Sequence, residues 1–130
     1  MKFKFDLLSK SQRVCGHLRW SLFKDSEEQG HRYNEFMNRI PCATKWPVAL
    51  LEDVYVMPRF RHHGYGRIAV KRFLEDARSE GAVLAMLKVG WDLSEDSHAA
   101  RAWKTKFYRS NGFSELDTTF PEPVMMYLAL

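Results

Sequence analysis

A basic, glycine-containing stretch near the middle of the chain has the composition of an anion-binding turn. Residues 59–67 read RFRHHGYGR and follow a strand-like run, LLEDVYVMP. Gly64 and Gly66 lack side chains that would keep a ligand from the backbone, and a helix that follows would offer free N–H groups and a positive dipole end. Arg61 and Arg67 add positive charge. The pattern predicts a pyrophosphate site; the alternative is a turn shaped by packing alone, with surface arginines.

Two other ligand classes fit this stretch less well. Residues 64–69, GYGRIA, satisfy the loose dinucleotide fingerprint, which requires a strand running directly into the first glycine and an acidic residue ~20 positions later. Here residues 59–63 intervene and position 86 is Met. His62 and His63 suggest a metal, but adjacent residues seldom share one ion and no third ligand stands at useful spacing. We therefore predict no metal site and place both histidines beside the phosphate.

Strands and helices alternate around this turn. Residues 2–9 and 12–23 predict an antiparallel hairpin, and residues 48–58, 82–91 and 123–130 predict further strands. Helices are predicted for 67–80 and 97–110, with a short one within 31–40. The central strand–helix–strand unit must be parallel with a right-handed crossover. In the last helix Ala99, Trp103 and Phe107 share one face, which we expect to lie on the sheet with Tyr108 at its edge.

Length and composition predict one globular domain, residues 1–130. Hydrophobic residues make up 45% of the chain and charged residues 28%, with a net charge of +4. The positive charge is modest and mixed with acidic residues, so we do not expect nucleic acid as the main partner. Cys15 and Cys42 form neither a disulfide framework nor a CxxC pair, and no run is apolar enough for a signal peptide or membrane span. We expect a cytoplasmic protein.

Two motifs together resemble a known family. Val-x-Pro-x-x-Arg-x-x-Gly-x-Gly, from Val56 to Gly66, resembles motif A of the GNAT acetyltransferase superfamily. KFYRSNGF, residues 106–113, resembles the end of that family's penultimate helix, and one helix and one strand separate the two motifs, as in the family. The resemblance covers roughly residues 50–130.

The resemblance implies a mixed α/β (α+β) fold whose central mixed sheet has two strands that splay apart. It also implies acetyl-coenzyme A as the acyl-donor substrate, with the pyrophosphate on the turn and the pantetheine arm paired to the edge of the strand before it. The residues implied in binding coenzyme A are Val54, Val56, Arg61, His62, His63, Gly64, Tyr65, Gly66, Arg67 and Tyr108.

The same resemblance implies direct transfer of the acetyl group to an amine, in a protein that is a monomer or a homodimer. Tyr108 matches the tyrosine that acts as general acid toward the coenzyme sulfur in many members. Some members carry a glutamate base at the position of Leu50; Glu52 lies two residues on, so we predict that it occupies the same strand face and acts as the base. Asp53 is then expected to point the other way. The alternatives are a water relay, or a Glu52 that is only a strand-end carboxylate paired with a nearby arginine.

The sequence also departs from the family pattern. The strand and two helices that usually begin the family have no counterpart, so the fold is a compact version, in which the 31–40 helix is a candidate substitute wall for the acceptor. Arg101 stands where many members carry an asparagine. An inactive coenzyme A-binding or interaction module is therefore the alternative to an active N-acetyltransferase, and the amine acceptor is not identified by any motif.

Overall fold

A six-stranded mixed sheet organises the protein in a computed structural model, which describes residues 1–89, 97–116 and 124–130, the side chains of residues 97–100 excepted. The strands lie in the order β1-β2-β3-β4-β6-β5. Their bounds are β1 Lys2–Leu8, β2 Val14–Phe23, β3 Val48–Val56, β4 Leu84–Val89, β5 Ser114–Glu115 and β6 Val124–Ala129. The helices are α1 Ser26–Gln29, α2 Asn34–Arg39, α3 Tyr65–Ser79 and α4 Ser97–Ser110.

The strand pairing agrees with the sequence patterns. β1 and β2 form the predicted antiparallel hairpin, and β3 continues antiparallel to β2. β3 and β4 are parallel and are connected through α3, as the predicted strand–helix–strand unit requires. β6 is antiparallel to β4, which makes the sheet mixed as expected.

The sheet buries an apolar layer on each face. On one face, α3 contributes the apolar stripe predicted from the sequence: Ala69, Val70, Phe73, Leu74 and Ala77 are all buried. On the other face, α2 packs Phe36 and Met37 against β3, β4 and β6. The short helix predicted within residues 31–40 is thus α2, and its two buried side chains cover only part of its face of the sheet.

Two local boundaries differ from the sequence expectations. α3 begins at Tyr65, two residues before the predicted start, because Gly64 adopts a left-handed conformation (φ 85°) that caps the helix. The sequence predicted a single short helix before β3, but this stretch also contains α1. The Asp25 side chain caps its N-terminus by accepting from the Glu28 N–H at 2.9 Å. None of the described helices combines the length and apolarity needed to cross a membrane.

Candidate active site

The parallel strands β3 and β4 pair along only part of their length. Their ladder runs from Val48 opposite Leu84 to Leu51 opposite Leu87 and stops there. β3 nevertheless continues to Val56, and that second half remains paired with β2 on its other side. The edge of β3 that faces β4 is therefore unpaired from Glu52 onward among the described residues, and the predicted splaying of the two strands is confirmed.

The backbone groups at this open edge belong to Val54 and Val56. The Met57 N–H donates to the Cys15 carbonyl at 2.7 Å, so Met57 is bonded toward β2. Bonded positions alternate along an antiparallel ladder, so the N–H and C=O groups of Val54 and Val56 are directed to the opposite edge. The Val56 carbonyl accepts a 2.9 Å hydrogen bond from Nε of Arg61. An extended ligand could pair with the remaining groups in the manner of an added strand.

The basic turn lies directly after this open edge. Pro58–Phe60 form one 3-10 turn, His62 takes a positive φ of 66°, and Gly64 follows with φ 85°. No side chain caps α3, and its first turn holds no acidic residue. The first backbone N–H groups of α3, from Tyr65 to Arg67, thus precede the helix's own bonding, which begins with Ile68 N–H to Gly64 O at 3.1 Å. This arrangement suits an anion.

The two glycines of the turn are required for different reasons. Gly64 has open space where a Cβ would stand, so its requirement is the left-handed backbone. Gly66 has ordinary helical geometry, but a Cβ built there would meet Cζ of Phe107 on α4 at 3.3 Å. Gly66 therefore permits the close packing of α3 against α4 as well as any approach of a ligand to the backbone. From the sequence alone, packing and ligand approach are alternatives, and the structure shows the packing role at Gly66.

The side chains of the turn do not all face one ligand. Arg61 is tied to the end of β3 through the Val56 carbonyl, and its guanidinium lies 5.8 Å from the centroid of the Tyr55 ring. The Tyr65 hydroxyl accepts from the Lys10 N–H at 3.2 Å, which directs this side chain to the β1–β2 hairpin. His62, His63 and Arg67 are exposed. Within the described residues, no three potential ligand side chains cluster as a metal site would require.

A bulge in β3 changes the expected positions of the two carboxylates. Trp20 lies opposite Leu51, but its neighbour Arg19 lies opposite Asp53, so Glu52 is an extra residue in β3. The Glu52 carboxylate accepts a hydrogen bond from Ser21, and the Asp53 carboxylate contacts His17 and Arg19. These partners alternate along β2 and share one face. The prediction that Asp53 points away from Glu52 was wrong, because strict alternation does not hold across a bulge.

Asp53 is the more highly connected of these carboxylates. Nε2 of His17 lies 2.6 Å from Oδ2 of Asp53, and a guanidinium nitrogen of Arg19 lies 3.6 Å from the same oxygen. All three side chains are partly exposed. The ring of His17 is also tilted against Tyr55 at 5.4 Å between centroids. No sequence motif pointed directly to this cluster, although two adjacent charges in an apolar strand are a signal of broken alternation.

Tyr108 lies on the half-buried side of α4, between Phe107 and Phe113, with ring centroids at 5.1 and 6.1 Å. Burial raises the pKa of its phenol to about 12, and the negative charge of Asp53 contributes to the rise. The phenol therefore stays protonated at neutral pH.

The packed face of α4 differs from the predicted one. Trp103 is 58% exposed, whereas Thr105 is buried and donates from its hydroxyl to the Arg101 carbonyl at 2.8 Å. The expectation that Trp103 lies on the sheet was wrong, because apolar spacing identified a stripe but not which stripe the sheet covers. Ala99 falls outside the described side chains. Phe107 does pack inward, on the first turn of α3, so Tyr108 lies within the packed side rather than at its edge.

Comparison with known proteins places these features in context. The model of the acetyltransferase (GNAT) family matches residues 7–113. No curated protein sequence matches the chain. Among solved structures, an acetyltransferase from Bacillus cereus has a TM-score of 0.67 at 13% identity, over 100% of this chain and 74% of the other.

Two further solved structures carry more specific names. PaiA N-acetyltransferase from Thermoplasma acidophilum, in complex with coenzyme A, has a TM-score of 0.64 at 15% identity, over 99% of this chain and 61% of the other. Ribosomal-protein-alanine N-acetyltransferase from Brucella melitensis has a TM-score of 0.63 at 20% identity, over 95% of this chain and 67% of the other. At these sequence identities the likeness shows a shared fold and nothing more specific.

Proposed function

The chain belongs to the acetyltransferase (GNAT) family, and on that premise we propose that it is an N-acetyltransferase that moves an acetyl group from acetyl-coenzyme A directly to an amine. The observation that carries the proposal is the opening between β3 and β4, which begins where their ladder stops after Leu51. It exposes strand-edge backbone at Val54 and is followed directly by the basic turn. A thioester on a long amide-containing arm with a pyrophosphate needs both features.

The turn would bind the pyrophosphate through backbone groups more than through side chains. The uncapped N–H groups of Tyr65, Gly66 and Arg67 supply donors and the positive end of a 15-residue helix. Arg67, His62 and His63 are exposed beside them and add donors at the rim. Arg61 has a different part, because its bond to the Val56 carbonyl holds the turn against the end of β3. A coenzyme A complex of a protein of similar fold supports this ligand class.

We assign the two proton transfers to a carboxylate in the open half of β3 and to the phenol of Tyr108 on α4. An alkylammonium has a pKa of ~10.4, so it must lose a proton before its nitrogen can attack the thioester carbon. We assign that proton to Asp53, with Glu52 as the alternative, because Asp53 is a partly exposed carboxylate in the open half of β3 and contacts both His17 and Arg19. The new C–N bond forms as the C–S bond breaks, and the Tyr108 hydroxyl donates to the departing thiolate.

The phenol of Tyr108 supplies the second proton transfer. Burial raises the pKa of Tyr108, so the phenol stays protonated at neutral pH and acts as a hydrogen-bond donor to the sulfur.

The direct test combines binding and turnover. Calorimetry with coenzyme A should show binding to the parent protein, and acetyl-coenzyme A with a panel of primary amines should release free thiol faster than acetyl-coenzyme A alone. Mass spectrometry of the products should show an acetyl group on the amine. Binding without thiol release from any amine in the panel, or from a cell lysate, would favour the inactive coenzyme A-binding module. The absence of coenzyme A binding would reject both the active N-acetyltransferase and the inactive coenzyme A-binding module.

A further inference from the structure

The first strand, β1, forms one edge of the sheet and has a regular outward row of backbone groups. Met1 and Leu22 exchange both of their hydrogen bonds, at 3.0 Å from the Met1 amine and 2.8 Å from the Leu22 N–H. Bonded positions alternate in an antiparallel pair, so Phe3, Phe5 and Leu7 are bonded toward β2. The N–H and C=O groups of the three residues Lys2, Lys4 and Asp6 are therefore directed away from the sheet.

The side chains of β1 separate cleanly into two faces. Phe3, Phe5 and Leu7 are buried or half-buried on the face that α3 covers, whereas Lys2, Lys4 and Asp6 are exposed. An edge strand of this kind, with unpaired backbone and one apolar face, is a template for another strand. Lysines often protect such edges from pairing, but here an aspartate of the same strand can neutralise them.

The groove between β1 and α3 is incompletely filled. It holds an opening of about 230 Å³, lined by Phe3, Phe5, Trp20 and Arg72 among others, and a neighbouring one of about 240 Å³. Leu8 and Ile68, which line the second opening, are 52% and 58% exposed. A strand added beside β1 would direct its apolar side chains to the same face as these openings.

We propose that the added strand is β1 of a second copy of this chain, paired antiparallel across a two-fold axis. Backbone bonding requires outward-directed residues to lie opposite one another, so Lys2, Lys4 and Asp6 must face residues from the same set or Leu8. With Phe5 opposite Phe5 of the second copy, Lys4 lies opposite its Asp6, and Phe3 opposite its Leu7. By the two-fold symmetry each of these contacts occurs twice.

Charge selects this register over its neighbours. Shifting the strands by two residues in one direction places Lys4 opposite Lys4, which counteracts the two Lys2–Asp6 pairs formed there, and shifting them in the other direction places Asp6 opposite Asp6 without any opposite-charge pair. Like charges directly opposite in an antiparallel pair are destabilising, and opposite charges are stabilising. The proposed register avoids every like-charge pair and gathers Phe3, Phe5 and Leu7 of both copies on one continuous apolar face.

Self-pairing of this kind is tested by reversing the charges one at a time. Sedimentation of the parent protein over a concentration series should show a reversible monomer–dimer equilibrium. Lys4→Glu or Asp6→Lys alone creates two like-charge pairs, and each should raise the dimer Kd at least about tenfold. An equimolar mixture of the two variants should restore association as a heterodimer. In that heterodimer the introduced glutamate faces the introduced lysine, and the unchanged Lys4 and Asp6 face each other.

Lys2→Glu is the matched control, since Lys2 faces Leu8 in the proposed register and its Kd should stay within about twofold of the parent. All these side chains are exposed, and circular dichroism melts verify that each variant folds. A parent that remains monomeric at every concentration overturns the proposal and leaves the edge to a different partner. Dimerisation unaffected by Lys4→Glu, or lost with Lys2→Glu, overturns the proposed pairing.

Discussion

The two halves of β3 differ in strand pairing and in side-chain burial. From Val48 to Leu51 the strand is paired with both β2 and β4, and all four side chains are buried. From Glu52 to Val56 it is paired with β2 alone, and no side chain is fully buried. The first half supports the core on both faces of the sheet. The second half offers backbone edge, carboxylates and partly exposed surface to a ligand.

The bulge at Glu52 marks the boundary between these halves. The extra residue breaks the alternation that buries Leu51 and directs both Glu52 and Asp53 to the face occupied by Ser21, Arg19 and His17. The ladder with β4 ends immediately before this residue. One strand thus contains both a core half and an open half, with no loop between the two halves. Substitutions in the two halves should therefore affect different quantities.

The largest effect is expected from Asp53→Asn, in the open half. It removes the proposed base while keeping the side chain's shape, so turnover should fall by about 10²–10⁴-fold. Melting temperature should change little, because the contacts of Asp53 with His17 and Arg19 are partly exposed. Thiol release measures turnover, and a thermal melt measures the melting temperature. Glu52→Gln is the matched control, and a larger loss from it than from Asp53→Asn would make Glu52 the base.

Leu51→Ala tests the paired half. Leu51 is 5% exposed and packs in the cluster beneath α3, so the substitution should lower the free energy of unfolding by about 2–5 kcal/mol. Val54→Ala, in the open half, removes a smaller and less buried side chain and should cost about 1 kcal/mol. Urea unfolding measures both. Equal losses would mean that the core extends through the whole strand.

The ionisation of Tyr108 should appear as a loss of stability at high pH. Its folded pKa of about 12 lies above the unfolded value of 10.0, so its contribution is complete below pH 10 and is lost as pH rises through 12. The loss should reach about 2–3 kcal/mol relative to Tyr108→Phe, which lacks the ionising group. Urea unfolding of both proteins between pH 9 and 12 measures it, in steps of about one unit. If the free energy of unfolding depended on pH in the same way for both proteins, the phenol of Tyr108 would be exposed to solvent in the folded state.

Tyr108→Phe should also slow the reaction at neutral pH. The ring contacts with Phe107 and Phe113 remain, and only the hydroxyl that we propose as donor to the thiolate is lost. We expect turnover to fall by at least about tenfold, with coenzyme A affinity and melting temperature nearly unchanged. Parental turnover would mean that water supplies the proton. A melting temperature several degrees lower, with weaker binding, would instead identify the hydroxyl as structural.

The smallest effects are expected at the two glycines of the turn. Gly64→Ala should cost about 1–2 kcal/mol of stability because of its left-handed backbone, and Gly64→Asn should cost less. Gly66→Ala needs only a small shift of the Phe107 ring, so it should cost less than Gly64→Ala. Chemical unfolding ranks the three. If Gly66→Ala is the most destabilising, helix packing rather than backbone geometry dominates this turn.

Much of the architecture follows from the amino-acid sequence alone. Alternation in β1 and β2, the apolar stripe of α3 and the run that forms β3 are local periodicities, and each predicted the observed element. The basic turn was predicted from Gly64, Gly66 and their arginines, and the resemblance to a family added Tyr108 as a proposed site residue. These elements can be predicted from the sequence because backbone geometry and burial on one face give apolar residues a fixed spacing along each helix or strand.

What only the tertiary structure decided concerns residues distant in sequence. His17 and Arg19 meet Asp53 because β2 is paired with β3 in a register that contains one extra residue, and a bulge depends on both strands. Phe107 packs inward beneath Gly66 as its apolar face predicted, but Trp103 of the same face is exposed and Thr105 is buried, which the periodicity of α4 did not indicate. Local patterns determine which elements form. The pairing and docking of those elements determine which side chains share a site, because these depend on contacts between segments far apart in the chain.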